Sequence, residues 1–313
     1  MKKDILVCAL VLVHLLNGGC NAQNEKKEMK ETIDVIKSGV QTYKETPVYT
    51  VQINKQGCRL VLEMRGNVDY RLTENNGESM MLPLNAMITG SGPQTALVKI
   101  YPKEGDAYLT KYAHVTLNFF HAPDRQSRLS EYKTIASFEL PGGLEEKKLP
   151  YYETTVQFTA KVPFDYAAEL NAATDLKSIP DIDEKVRAKY NQIRRVCENL
   201  DSAAYNKYLA HSSALVYNTT YTDAAQIEKS EASSSPLAMV DPQVKNRSFL
   251  PIQDVVTQYY ANGKIVALWQ KNLAPALYMK GEVASKDGGS KPVEAGDPIF
   301  LYLPKGSSEL QVW

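Results

Sequence analysis

The chain has 313 residues, of which 43% are hydrophobic, enough for a full core and more than one domain usually holds. Its 36 basic and 36 acidic residues cancel, so no global field draws it onto nucleic acid or an anionic bilayer. Two domains are expected, and a nucleic-acid partner is not.

The chain opens with Lys2 and Lys3, an apolar run from Ile5 to Leu16, and the small residues Gly18, Gly19 and Ala22. These are the parts of a bacterial export signal. The run falls short of the roughly 20 apolar residues that a spanning helix needs, so residues 1–22 read as a signal peptide removed on export, and no later segment is apolar enough to span. Two cleavage readings compete. In the leading one, Leu16-Asn17-Gly18-Gly19-Cys20 resembles a bacterial lipobox, with Cys20 as the site of lipid attachment and the only link to a membrane. In the other, cleavage follows Ala22 and the protein diffuses in the periplasm.

Residues 23–47 form a tether. Apolar side chains recur at Met29, Ile33, Ile36, Val40 and Tyr43, one face of a helix predicted from Glu25 to Lys44. Its polar face mixes Glu with Lys, so docking on the first domain is favoured over lying on a membrane.

Over residues 48–165 the period changes to two. Leu60, Leu62 and Met64 alternate with Val61 and Glu63, and similar rows run through Ala96 to Ile100, Val115 to Phe119 and Val156 to Val162. Turns fall between them at Asn75-Asn76-Gly77, Gly90-Ser91-Gly92-Pro93, Gly105-Asp106 and Pro141-Gly142-Gly143. Half-buried strands with such connections predict an antiparallel β-sandwich, jelly-roll-like.

Residues 178–313 are predicted to be an α+β domain. Ile182, Val186, Tyr190, Ile193, Cys197 and Leu200 share one helical face, and further helical stretches carry the pattern through residues 181–229. A polar linker, Ser230 to Pro236, precedes an antiparallel β-meander over residues 250–313, whose hairpin signal is Asn262-Gly263. Cys58 lies on the core side of a strand and Cys197 on the apolar side of a helix. Two separate buried thiols are the leading reading. A Cys58–Cys197 disulfide is the alternative, which an oxidising compartment permits.

Motifs for chemistry are sparse. His114, His121 and His211 have no metal-ligand residue at zinc-like spacing, and no metal or cofactor is expected. Ser130-Glu131-Tyr132-Lys133 has the S-x-x-K spacing of penicillin-recognising serine enzymes. It lacks the accompanying S-D-N and K-T-G elements and the helix that must present the serine. Gly90-Ser91-Gly92 is a turn, and Asp181-Ile182-Asp183-Glu184 lacks the glycine and terminal Glu of a calcium loop. The chain has 19 tyrosines, including Tyr151-Tyr152 and Tyr259-Tyr260, together with Trp269 and Trp313. Most fall in strand-like windows, where packing is the default role and recognition the sharper one.

The Leu84-Asn85 to Gln94 run and the segment Tyr260-Ala261-Asn262-Gly263-Lys264-Ile265-Val266-Ala267-Leu268 resemble uncharacterised exported proteins and lipoproteins of Gram-negative bacteria. The resemblance implies a β-sandwich followed by an α+β part. Some proteins of that layout resemble periplasmic immunity proteins, which implies a protein partner such as a secreted toxin. A non-catalytic envelope binding protein is therefore the leading expectation. Glycan binding, a hydrolase with a carboxylate pair between the domains, and an assembly role are the alternatives.

Overall fold

The computed structural model describes residues 27–233 and 237–313. The predicted signal segment, Cys20 and part of the polar linker lie outside the described residues. The fold is mostly antiparallel β, with several helices and four antiparallel sheets.

Eight strands build the first half: β1 (Val48–Gln56), β2 (Cys58–Met64), β3 (Asp69–Leu72), β4 (Glu78–Pro83), β5 (Gly92–Pro102), β6 (His114–Ala122), β7 (Lys133–Glu139) and β8 (Tyr152–Ala160). They pair as two four-stranded sheets, β4-β1-β6-β7 and β3-β2-β5-β8. The alternating residues seen in the sequence supply one shared core. Leu60, Leu62 and Met64 of one sheet join Val115, Leu117 and Phe119 of the other in a single hydrophobic cluster. The chain passes between the sheets at Gly57, whose φ is +68°. A Cβ there would come within 2.2 Å of the Tyr112 carbonyl oxygen, so only glycine fits this corner.

The second half begins with α2 (Ala167–Ala172), α3 (Ile182–Glu198), α4 (Ser202–Thr219) and α5 (Ala224–Ser233), which follow α1 over residues 27–38. Its strands are β9 (Lys245–Phe249), β10 (Val256–Tyr260), β11 (Ile265–Trp269), β12 (Leu277–Ala284), β13 (Ser290–Asp297), β14 (Leu301–Tyr302) and β15 (Gln311–Val312). They form two sheets, β10-β11-β14-β15 and β13-β12-β9. The single meander expected over residues 250–313 is thus split, because the β12–β13 hairpin leaves its sequence neighbours and pairs with β9, which precedes residue 250. Alternation decides which face of a strand is buried and says nothing about which strand lies beside it.

Most of the predicted stripe of α3 is realised: Val186, Tyr190, Ile193 and Cys197 are buried against Val266, Leu268 and Leu277, whereas Leu200 lies beyond the helix end and is exposed. Tyr190 is its keystone. Its hydroxyl donates to the Ile299 carbonyl and accepts the Leu268 N–H at 2.9 Å, tying the helix to the sheet beneath. Tyr190→Phe leaves both backbone groups unpaired in a dry core and is expected to cost about 2–3 kcal/mol, measured by urea unfolding.

Helix α1 does not dock on the first half as predicted. Ile36 packs against Ala210 and Ala214 of α4 and Ile227 of α5. Lys37 reaches Glu228 at 3.2 Å, and the Gln41 N–H donates to Asn218 Oδ1 at 2.8 Å. The two alanines leave a shallow surface for Ile36, a fit that the stripe on α1 could not disclose. Among the described residues no helix is long and apolar enough to cross a membrane.

Candidate cleft between the two halves

Strand β3 carries the first functional side chains. Tyr70 and Leu72 face the first core, so Asp69 and Arg71 project from the other face toward the second half. There they meet β10 and β11. Arg71 donates to Asp69 Oδ2 through Nε at 3.0 Å and Nη2 at 2.8 Å, and Nη2 also reaches Gln258 Oε1 at 2.6 Å. The guanidinium carbon lies 3.4 Å from the centroid of the Trp269 ring, a close cation–π contact. Tyr260 closes the network: its hydroxyl donates to Asp69 Oδ2 at 2.8 Å and accepts the Trp269 indole N–H at 2.8 Å.

This cluster is first of all structural. It is dry, with side-chain exposures of 6% for Arg71 and 0% for Asp69, and it locks the two halves together. Burial pushes the Asp69 carboxyl above its usual range, and Arg71 and Tyr260 oppose that rise. One feature is not accounted for by locking. Asp69 Oδ2 takes three donors, two from Arg71 and one from Tyr260, while Oδ1 is buried without a hydrogen-bond partner.

Asp69 and Arg71 line a cleft of about 450 Å³ whose rim bears Glu74, Glu104, Tyr278 and Glu294. The rim is held in place by the chain. Buried Lys55 donates to the carbonyls of Glu74 and Asn76, fixing one turn. The Glu104 N–H donates to Asn75 Oδ1 at 2.8 Å, tying the second loop to the first. On the far side the Tyr278 hydroxyl donates to Glu294 Oε2 at 2.6 Å, and Lys280 pairs with Glu294 at 3.0 Å.

A second polar cluster joins α2, α4 and β14. The rings of His211, Tyr302 and Trp313 meet in a triangle, with the His211 centroid 5.4 Å from each of the other two. Its Nε2 is 3.4 Å from Glu169 Oε1, which also accepts the Tyr302 hydroxyl at 2.9 Å. His211 borders a larger cleft, about 760 Å³, beside α1 and α4. Burial lowers the His211 pKa, and Glu169, itself screened by solvent, offsets only part of that. The unfolded chain therefore binds the proton more readily than the folded one. Stability is fully present above about pH 6.5 and falls as the pH drops below it. Wild type is expected to lose more unfolding free energy between pH 7.5 and 5.5 than His211→Gln, as measured by urea titration at each pH.

The residues singled out in the sequence fall elsewhere. Cys58 and Cys197 are free and buried in different cores, so the alternative of a bridge between them is not realised. Burial pushes the Cys197 thiol up to about 12 and raises that of Cys58, which keeps both inert. His114 is exposed on β6, and Ser130 sits in a three-residue 3-10 turn on the surface, not on a buried helix. Ser91 clamps the backbone of Val162 from both sides at 2.9 Å. Asn85 bonds Tyr49, Pro47 and Tyr221, so that part of the resemblance segment is a structural post. Among the described residues, no group of three or more His, Cys, Asp and Glu is placed to hold a metal ion.

Sequence reasoning did not anticipate Asp69, Arg71 or Glu169. The signal within reach was the Asp69-x-Arg71 spacing on a strand, which puts opposite charges on one face two residues apart. No protein-family model, no curated protein and no solved structure matches the chain.

Proposed function

We propose that the chain is an exported, non-catalytic binding protein of the bacterial envelope, held to a membrane by lipid on Cys20, with a protein as its partner. In this reading the two four-stranded sheets of the first half are the faces of a jelly-roll-like β-sandwich, and its loops carry recognition. A secreted toxin is the sharpest form of partner, with the chain as its immunity protein.

The observation that carries the reading is a group of exposed tyrosines on loops that are tied together. Tyr112, Tyr151 and Tyr108 are 64%, 48% and 46% exposed. The Leu109 N–H donates to the Leu149 carbonyl at 2.9 Å, joining the loop of Tyr108 and Tyr112 to the segment that leads into Tyr151. Tyr151 in turn stacks on Tyr101, with centroids 6.0 Å apart. Tyrosine gives a large, stiff contact with a polar tip at low entropic cost, which is why recognition loops favour it. Leaving three such rings in water on anchored loops is consistent with a surface kept for a partner.

A photo-crosslinking residue at Tyr112, with one at Val216 as control, tests this in intact cells. A discrete protein adduct from Tyr112 alone is expected, and its absence would remove the support for a protein partner. Intact mass of the mature chain tests the anchor: a species beginning at Gln23 without added diacylglyceryl would overturn it.

The hydrolase alternative has less support. Of the carboxylates that line the cleft between the halves, Asp69 is paired with Arg71 and Glu294 with Lys280. A general acid and a nucleophile or base would instead be two carboxyl groups facing one bond.

A further inference from the structure

The two sheets of the first half have four edge strands, and three of them are covered. β7 and β8 lie against each other, with Phe138 stacked on Tyr152 at 6.2 Å between centroids, and β7 carries an irregularity opposite Phe119 and Phe120. β3 meets the second half through Arg71 to Gln258 and Asp69 to Tyr260. We propose that the fourth edge, β4, takes an extended segment of a protein partner as an added strand. The proposal rests on the reading of the chain as a protein-binding module and says how the partner is held.

The backbone of β4 is open along one side. The Leu84 N–H donates to the Tyr49 carbonyl at 2.8 Å, and from there the register with β1 runs unbroken from Thr50–Pro83 to Lys55–Glu78. In an antiparallel pair, facing residues alternate between those that exchange backbone bonds and those that do not. Leu82, Met80 and Glu78 therefore turn their backbone groups to β1. Pro83, Met81 and Ser79 turn their carbonyls outward, and Met81 and Ser79 their N–H groups as well. None of these outward groups has a hydrogen-bond partner among the described residues, and such a row is a template for another strand. The side chains agree. Native edges are blunted by charge or irregularity, whereas Ser79-Met80-Met81-Leu82 has neither, and Met81 is 42% exposed. The start of the strand is also fixed in advance, because Lys55 holds the carbonyls of Glu74 and Asn76, so little ordering is left for binding to supply.

A second copy of this chain fits the edge less well than a different protein does. Two six-residue strands joined edge to edge bury far less than the roughly 1,000 Å² expected of a stable interface. With the two copies antiparallel about Met81, Pro83 of one would also face Ser79 of the other and give it no N–H. A partner segment can run on beyond β4. The turn before β4 is tied to the loop of Tyr108 and Tyr112 by the Glu104 N–H, which donates to Asn75 Oδ1 at 2.8 Å. The Tyr112 carbonyl abuts Gly57, two residues past Lys55, which faces Glu78 across the sheet. A segment that leaves β4 at Glu78 therefore comes to the exposed tyrosines, and their rings supply the area that the short strand lacks.

Photo-crosslinking residues placed singly at Met81 and at Tyr112 of the full chain, in intact cells, test the proposal. Both are expected to trap the same protein. Mass spectrometry of the Met81 adduct locates the trapped segment, and a synthetic peptide of that segment is then the probe for the mature protein. Hydrogen exchange at the Ser79 and Met81 amides should be fast in the free protein and slow by about tenfold or more at saturating peptide. Met81→Pro removes an outward N–H and no bond of the free sheet, so it should fold normally and cut the Tyr112 adduct by about tenfold or more. Should it fail to fold, Met81→Lys, a charge of the kind that blunts native edges, is expected to give the same loss. An adduct from Tyr112 alone, unprotected Ser79 and Met81 amides, or an unchanged yield in the folded variant would overturn strand addition and leave the protein partner standing. No adduct at either position would overturn both. A Met81 adduct between two copies of this chain would overturn the assignment of the edge to a different protein.

Discussion

Asp69→Ala is expected to destabilise the protein by about 3–5 kcal/mol, the range found when one member of a buried ion pair is removed. The guanidinium of Arg71 stays behind, 6% exposed and still stacked on Trp269, with no means of losing its charge. Tyr260 loses its acceptor at the same time. The comparison with Arg71→Met makes the prediction specific. That change leaves a buried carboxyl, which can neutralise itself by taking up a proton. Without the guanidinium its folded pKa lies further above the unfolded value of about 3.9. The folded state then holds the proton more tightly, so its contribution is complete at low pH and is lost as the pH rises through the raised value. Urea unfolding of both variants at pH 5 and pH 8 should show a large cost for Asp69→Ala at both, and for Arg71→Met a cost that grows toward pH 8. Equal costs at both pH values for Arg71→Met would mean that Asp69 does not take up the proton on its own.

Trp313→Ala is the second large effect, about 3–5 kcal/mol, as for other buried tryptophans truncated to alanine. Trp313 is 6% exposed. Its indole N–H donates to Asn67 Oδ1 at 2.8 Å, a bond between the last residue and the turn that precedes Asp69. Its ring meets Tyr302 and His211, with centroids 5.1 and 5.4 Å away. The truncation therefore opens a cavity under α4 and leaves Asn67 Oδ1 without its donor at the joint between the halves. Trp313→Phe keeps most of the packing and loses the hydrogen bond, and should cost about 1–2 kcal/mol. The chain has two tryptophans, so Trp269 fluorescence reports the cluster alone in either variant. A red shift in the folded state of Trp313→Ala, absent in Trp313→Phe, is the expected sign that the joint has loosened.

Much of the core was legible because burial on a strand or helix imposes a period. The rows at Leu60 to Met64 and Val115 to Phe119 entered the first core, and the stripe from Val186 to Cys197 entered the second. Local rules acted there without help from distant residues. The same rules failed where the partner of a face mattered more than the face. α1 was read as amphipathic, yet its seat on Ala210 and Ala214 depends on small residues far along the chain.

By itself the sequence determined the apolar rows of β2, β5, β6 and β8, most of the apolar stripe of α3, and that the two cysteines would be buried. Those are consequences of side-chain period and composition, which are local. Only the tertiary structure decided that the strands after residue 245 divide between two sheets, that Cys58 and Cys197 occupy different cores, and that Asp69 meets Tyr260, 191 positions away. A charged pair on the open face of a strand looks like ordinary solvated surface until another sheet covers it. Desolvation by that second sheet turns Asp69 and Arg71 into the joint of the molecule and leaves one carboxylate oxygen buried without a partner.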